Sequence, residues 1–114
     1  MMLVKATDAD IARFYGVKLT GEWFGWAIKS KQMIVGIGGA YNYSGNDWVC
    51  FVDQKSKVLK PIHLRLARKA VAQLSRIGAE RVTAMCDERI KGADTFLKRI
   101  GFVEQDEGVW ECQV

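Results

Sequence analysis

The chain has 114 residues, 49% of them hydrophobic and 26% charged, and a formal net charge of +4. That length suits one globular domain, 1–114, able to bury roughly two-thirds of its unfolded surface. With no apolar run of about 18 residues and no basic, apolar leader, neither a membrane span nor a secretory signal is expected, and the expected location is the cytoplasm.

Three cysteines, Cys50, Cys86 and Cys112, form an odd set with no C-x-x-C pair and a single histidine beside them. That usage argues against a disulfide framework and against a zinc site, so no metal is expected.

In chain order, Met2 to Lys5 predicts a short strand. Thr7 followed by Asp10 resembles a capping box, opening a helix that carries Ile11, Phe14 and Tyr15 and stops at Gly16. Trp23 to Ile28 and Met33 to Tyr41 predict strands around the polar turn Lys29 to Gln32, and Asp47 to Asp53 a third strand after turn signals at Asn42 to Asn46. In that third strand Trp48, Cys50 and Val52 alternate with Val49, Phe51 and Asp53, so both faces are largely apolar and helices are expected on both. Trp23, Phe24 and Trp26 are either core or an interface anchor, and four tryptophans in one small chain predict at least one exposed.

Pro61 at a first helical position begins the next helix, whose stripe is Ile62, Leu66, Ala67, Ala70, Leu74 and Ile77, ending at Gly78. Arg81 to Cys86 is then a strand parallel to the Asp47 strand, because a crossover helix joins them. From Ile90 onward a second amphipathic helix places Ile90, Ala93, Phe96, Leu97 and Ile100 on one side and Lys91, Asp94, Thr95, Lys98 and Arg99 on the other. Gly101 is its left-handed cap, and Phe102 to Gln105 with Val109 to Gln113 forms a closing hairpin.

The positive charge is local. Gln54 to Ala79 holds seven basic residues (Lys55, Lys57, Lys60, Arg65, Arg68, Lys69, Arg76) and no acidic one. Arg65, Arg68, Lys69 and Arg76 share the helix face opposite the apolar stripe, which is either a solvated face or a surface for nucleic acid or an acidic protein.

The order strand, helix, three antiparallel strands, helix, strand, helix and strand pair resembles the GNAT superfamily of N-acetyltransferases. So do the glycine-bearing VGIGGAY at Val35 to Tyr41, the spacing of Ala93, Phe96, Leu97, Gly101 and Phe102, and FLKRIGFVE at Phe96 to Glu104. The short N-terminal half is similar to the small GNAT-like proteins encoded by bacteriophages, some of which are virion components. The resemblance implies an α/β fold: one compact domain with a mixed, mostly antiparallel sheet flanked by helices on both faces. It also implies acetyl-coenzyme A as cofactor, an amine acceptor as partner, and a phosphate cradle after the fourth strand.

The residues depart from that pattern in three places. The cradle loop, Asp53 to Pro61, contains no glycine, so Lys55, Lys57, Lys60 and Ile62 at the helix start are the residues left to hold phosphates. The family's aromatic hydroxyl falls at Leu97, which has no proton to give, and its frequent asparagine falls at Ile90. The remaining catalytic candidates are Asp53, His63 and Asp87, with Glu88, Tyr41 and Tyr43 behind them. His63 reads either as a neutral histidine at the sheet face or as a general base, and Cys50 as a buried strand thiol or an acyl acceptor. Two functions follow. One is a weakly active acyl-coenzyme A N-acyltransferase. The other is a non-catalytic binding or assembly protein, in host cytoplasm or virion, partnered by another protein or by copies of itself.

Overall fold

Thr7 opens the first helix with a reciprocal pair of hydrogen bonds. Asp10 N–H donates to Thr7 Oγ1 at 3.2 Å, and Thr7 N–H donates to Asp10 Oδ2 at 3.0 Å, so two donors that the helix leaves orphaned are satisfied locally. Helix α1 (Asp8–Tyr15) follows strand β1 (Met2–Lys5) and ends at Gly16, whose φ of 77° is the left-handed cap. The computed structural model describes residues 1–55, 59–86 and 89–112.

Strands β2 (Trp23–Ser30), β3 (Met33–Ser44) and β4 (Asp47–Gln54) form the antiparallel meander. The first turn is tighter than the four residues expected. Lys31 and Gln32 alone turn the chain, at φ of 49° and 70°, the primed geometry that matches strand twist. Helix α2 (Pro61–Arg76) then crosses to β5 (Arg81–Met85), which runs parallel to β4. Helix α3 (Ala93–Arg99) leads to the hairpin of β6 (Val103–Asp106) and β7 (Val109–Cys112). The seven strands lie in the order β1-β2-β3-β4-β5-β7-β6, and β4/β5 is the parallel pairing among otherwise antiparallel neighbours.

The faces divide the core. Against one, Ile11 of α1 packs with Ala27, Ile34 and Ile37, joined by Tyr15 and Phe51. Against the other, Ile62 and Leu66 of α2 meet Ile28 and Val52, and Leu74 meets Trp48 and Val82. The glycines of β3 set how close these layers come. A Cβ on Gly38 would stand 2.6 Å from Leu66 Cδ2, and one on Gly39 2.0 Å from the Phe24 carbonyl oxygen, so a side chain at either position would push α2 or β2 away.

Both later helices end in the same device. Gly78 and Gly101 have φ of 76° and 99°. The next residue folds back in each case, Ala79 N–H to Leu74 O and Phe102 N–H to Leu97 O, both at 3.0 Å, which is the Schellman geometry. That turn corrects one expectation, because Ile77 is carried out of the α2 stripe to 43% exposure while Ala79 enters the core.

The last helix also differs from its reading. Gly92, at φ of 81°, is the N-cap, so Ile90 lies in the preceding turn and the helix is shorter than the stripe implied. Leu97 and Phe102 are buried, whereas Phe96 is half-buried. Phe102 precedes β6, β5 stops at Met85, and Gln113 lies outside the described residues. The expectation of an exposed tryptophan is also corrected: Trp48 and Trp110 are buried, and Trp23 and Trp26 half-buried. Arg65, Arg68, Lys69 and Arg76 are all exposed on α2, with Lys69 Nζ 6.0 Å from the centre of the Trp26 ring. Among the described residues no helix is long and apolar enough to cross a membrane.

The different burial of neighbouring stripe positions is measurable. Leu97→Ala should cost about 2 to 4 kcal/mol, Phe96→Ala about 1 to 2, and Lys98→Ala under about 0.5. Urea midpoints that rank Phe96 above Leu97 would contradict this placement of α3.

Candidate active site

Strands β4 and β5 are joined only at their beginnings. Asp47, Trp48 and Val49 pair with Arg81, Val82 and Thr83, and the register ends there. Beyond that point β4 stays with β3 as far as Gln54, while β5 stays with β7 as far as Met85. Each strand follows its antiparallel neighbour, so the sheet splits. The split opens into a cavity of about 280 Å³. On one side of the sheet it is walled by Cys50, Val52, Ala70 of α2, and Phe96 and Leu97 of α3; on the other it reaches Phe51 and Asp53.

The backbone of β4 also faces this gap. Lys55 N–H donates to Val35 O at 3.1 Å. Because successive strand residues alternate the edge to which their N–H and C=O point, Asp53 and Phe51 turn toward β3, while Cys50 faces the end of the β5 seam and Val52 the gap beyond it. A polar edge thus lies inside an apolar cleft.

Asp53 stands where β4 leaves the sheet. Tyr15 O–H, from the last turn of α1, donates to Asp53 Oδ2 at 2.5 Å. Burial, and the carboxylate beside it, push the Tyr15 hydroxyl well above its ordinary range, so it remains a donor. Sequence reasoning missed Tyr15, which reads there as one more apolar position on a short helix. Cys50 is in the wall, and burial, with Cys112 nearby, pushes its thiol up to about 12. It is a poor nucleophile at neutral pH.

The start of α2 is the place where the sequence leads to the expectation of a phosphate cradle. Pro61 has no N–H. His63 N–H donates to Lys60 O at 2.9 Å, and Lys60 N–H donates to His63 Nδ1 at 3.0 Å. Of the first turn's donors, Ile62 N–H has no backbone partner among the described residues. Lys55 and Lys60 are exposed on either side of the undescribed residues 56–58, which include Lys57. His63 is 4% exposed, and burial lowers its pKa. Neutral, with Nδ1 engaged as an acceptor, it caps α2, and it is not among the residues lining the cavity. Asp87 and Glu88 lie outside the described residues. Of the three catalytic candidates, the structure places Asp53 at the cavity and His63 away from it. Among the described residues no group of three His, Cys, Asp or Glu side chains could hold a metal ion.

This architecture, a sheet split between a fourth and a fifth strand with a helix starting at the gap, is that of the GNAT N-acetyltransferases. Solved structures of acetyltransferases are similar to this chain in fold. A Staphylococcus aureus Mu50 acetyltransferase of the GNAT family aligns with a TM-score of 0.62 at 19% identity, covering 80% of this chain and 67% of its own. The solution structure of E. coli N-acetyl transferase YhhK, bound to coenzyme A, aligns at 0.65 and 13% identity, over 99% of this chain and 98% of its own. A Bacillus subtilis acetyltransferase in complex with CoA aligns at 0.59 and 11% identity, over 90% and 66%. No family model matches the chain, and no curated protein does. The chain therefore carries the GNAT fold, and at these identities it is the fold that is shared.

Burial of Cys50 has a chemical consequence. At pH 8 its alkylation by iodoacetamide should be on the order of a thousandfold slower in the folded chain than in urea, following the thiolate fraction. Equal labelling of the Cys50 peptide in both states, read by mass spectrometry, would contradict its placement.

Proposed function

We propose that the chain is a coenzyme A thioester-dependent N-acyltransferase of low activity. The observation that carries this is the split of the sheet after Val49 and Thr83, beyond which the β4 edge that carries the Val52 N–H and C=O faces an apolar cavity beside the start of α2. A pantetheine arm is a chain of amides and methylenes. It fits a place that offers one strand's free N–H and C=O groups between apolar walls.

The phosphate end is less well provided. Lys55, Lys60 and Ile62 N–H would hold it, mainly through lysine charge. When bound, the thioester supplies a carbonyl carbon open to attack by an amine. Asp53 is the group positioned to take the amine's proton, because Tyr15 occupies Oδ2 and leaves Oδ1 to accept. Leu97 gives no proton to the departing sulfur, so water must supply it, and slow turnover follows. The second reading, a non-catalytic binding or assembly domain, draws on that same Leu97 and on the engagement of His63 in capping α2.

Ligand linkage separates these. A dissociation constant near ~10 μM would, at about 1 mM acetyl-coenzyme A, add roughly 2.7 kcal/mol, or on the order of 10 °C in melting temperature. With one free N–H and flexible lysines the expected shift is about 3 °C at low salt, lost by about 0.5 M salt. Slow thiol release with an amine should accompany it. No shift at low salt would remove the thioester reading; a shift without thiol release from any amine would favour the binding protein.

A further inference from the structure

Resting on that reading, the cavity also carries information about the acceptor. Asp53 is the one charged residue among its described lining residues, and no lysine, arginine or histidine joins it. The strand face that ends at Asp53 is aromatic. Phe51 precedes Asp53 by two residues and so stands about 6.7 Å along the same face. Its ring centre lies 6.2 Å from that of Tyr41 and 6.3 Å from that of Tyr15, and Tyr15 in turn fixes one oxygen of Asp53. Phe51 packs in the cluster under α1 and Val52 in the cluster under α2, so this wall lies across the sheet from the helix start assigned to the phosphates.

We infer that the acceptor is a small primary amine bearing a single positive charge on an apolar, ring-bearing body, and no carboxylate. Asp53 Oδ1 receives the ammonium, and the Phe51 and Tyr41 rings receive the body, the negative faces of the rings adding to attraction for the cation. An acceptor that also carries a carboxylate meets Asp53 with no compensating cation among the described lining residues. A flexible diamine without a ring leaves its second charge against apolar walls.

The test is binding of 2-phenylethylamine, phenylalanine, putrescine and 3-phenylpropionate to the full chain, followed by calorimetry, with thiol release from acetyl-coenzyme A measured in parallel. 2-Phenylethylamine should bind at least about tenfold more tightly than each of the other three. Asp53→Asn should weaken it by roughly 10- to 100-fold, as expected for loss of a charged hydrogen-bond partner, and because the carboxylate also accepts from Tyr15 the variant is measured well below its own melting transition. Phenylalanine or putrescine binding as tightly as 2-phenylethylamine, or an unchanged affinity in Asp53→Asn, would overturn the inference. The comparison of the four ligands decides it on the unaltered chain even if the variant fails to fold. Asp53-dependent amine binding without an acetyl-coenzyme A shift would defeat the thioester reading and leave an amine site at Asp53 that is not an acceptor site. A thioester shift with no order among the amines would do the reverse.

Discussion

A strand can follow only one neighbour when its two neighbours twist apart, and the site in this molecule depends on that limit. The antiparallel registers on either side of the split, β3 with β4 and β5 with β7, extend beyond the three-residue parallel seam between β4 and β5. Antiparallel hydrogen bonds are also slightly the more stable per residue. When the two halves of the sheet diverge, the seam is what gives way. Helices α2 and α3, packed in one cluster with Trp48, Val82 and Leu97, cover the opening and keep it apolar.

The rest of the fold accommodates that split. Gly38 lets Leu66 approach the sheet, which brings the first turn of α2 down at the open end of β4. The His63–Lys60 pair then stabilises that turn and, in doing so, uses donors that an anion would otherwise reach. Stability and ligand capture draw on the same few N–H groups at a helix start. In this chain most of them are committed to stability, and lysines flank what is left.

Much of the fold was legible because its signals are local. Thr7 with Asp10, Gly16, Pro61, Gly78 and Gly101 each mark a boundary through backbone chemistry that one or two residues decide. The parallel pairing followed from a crossover helix between apolar strands. The site was less legible because its contacts are distant in sequence. Tyr15 and Asp53 are 38 residues apart, and a tyrosine on a short amphipathic helix carries no mark of the carboxylate it will meet. His63 looked like a stripe residue near a basic loop, which it is, but its Nδ1 engagement depends on the rotamer within one turn. Gly92 reads as an ordinary residue in a helical pattern until its positive φ makes it the start of α3, and that shortening is what leaves Phe96 facing the cavity.

Helix α1 is fastened differently from the other two. At eight residues it is too short to persist alone, and three aspartates make its polar attachments. Asp8 accepts from the Trp23 indole, Asp10 caps Thr7 and pairs with Lys29 at 3.3 Å, and Asp53 accepts from Tyr15. Burial works against the Asp10 charge, but its hydrogen bonds with Thr7 and Lys29 outweigh burial and hold its pKa below the ordinary value. The stability that Asp10 contributes is therefore present above the unfolded-state pKa and lost as pH falls through the folded one. Acid thus loosens the molecule on one side first. As Asp10 takes up its proton, α1 loses its pairing with Lys29 and its hold on Thr7, while α2, docked through Ile62, Leu66 and Leu74, is held by contacts that carry no charge.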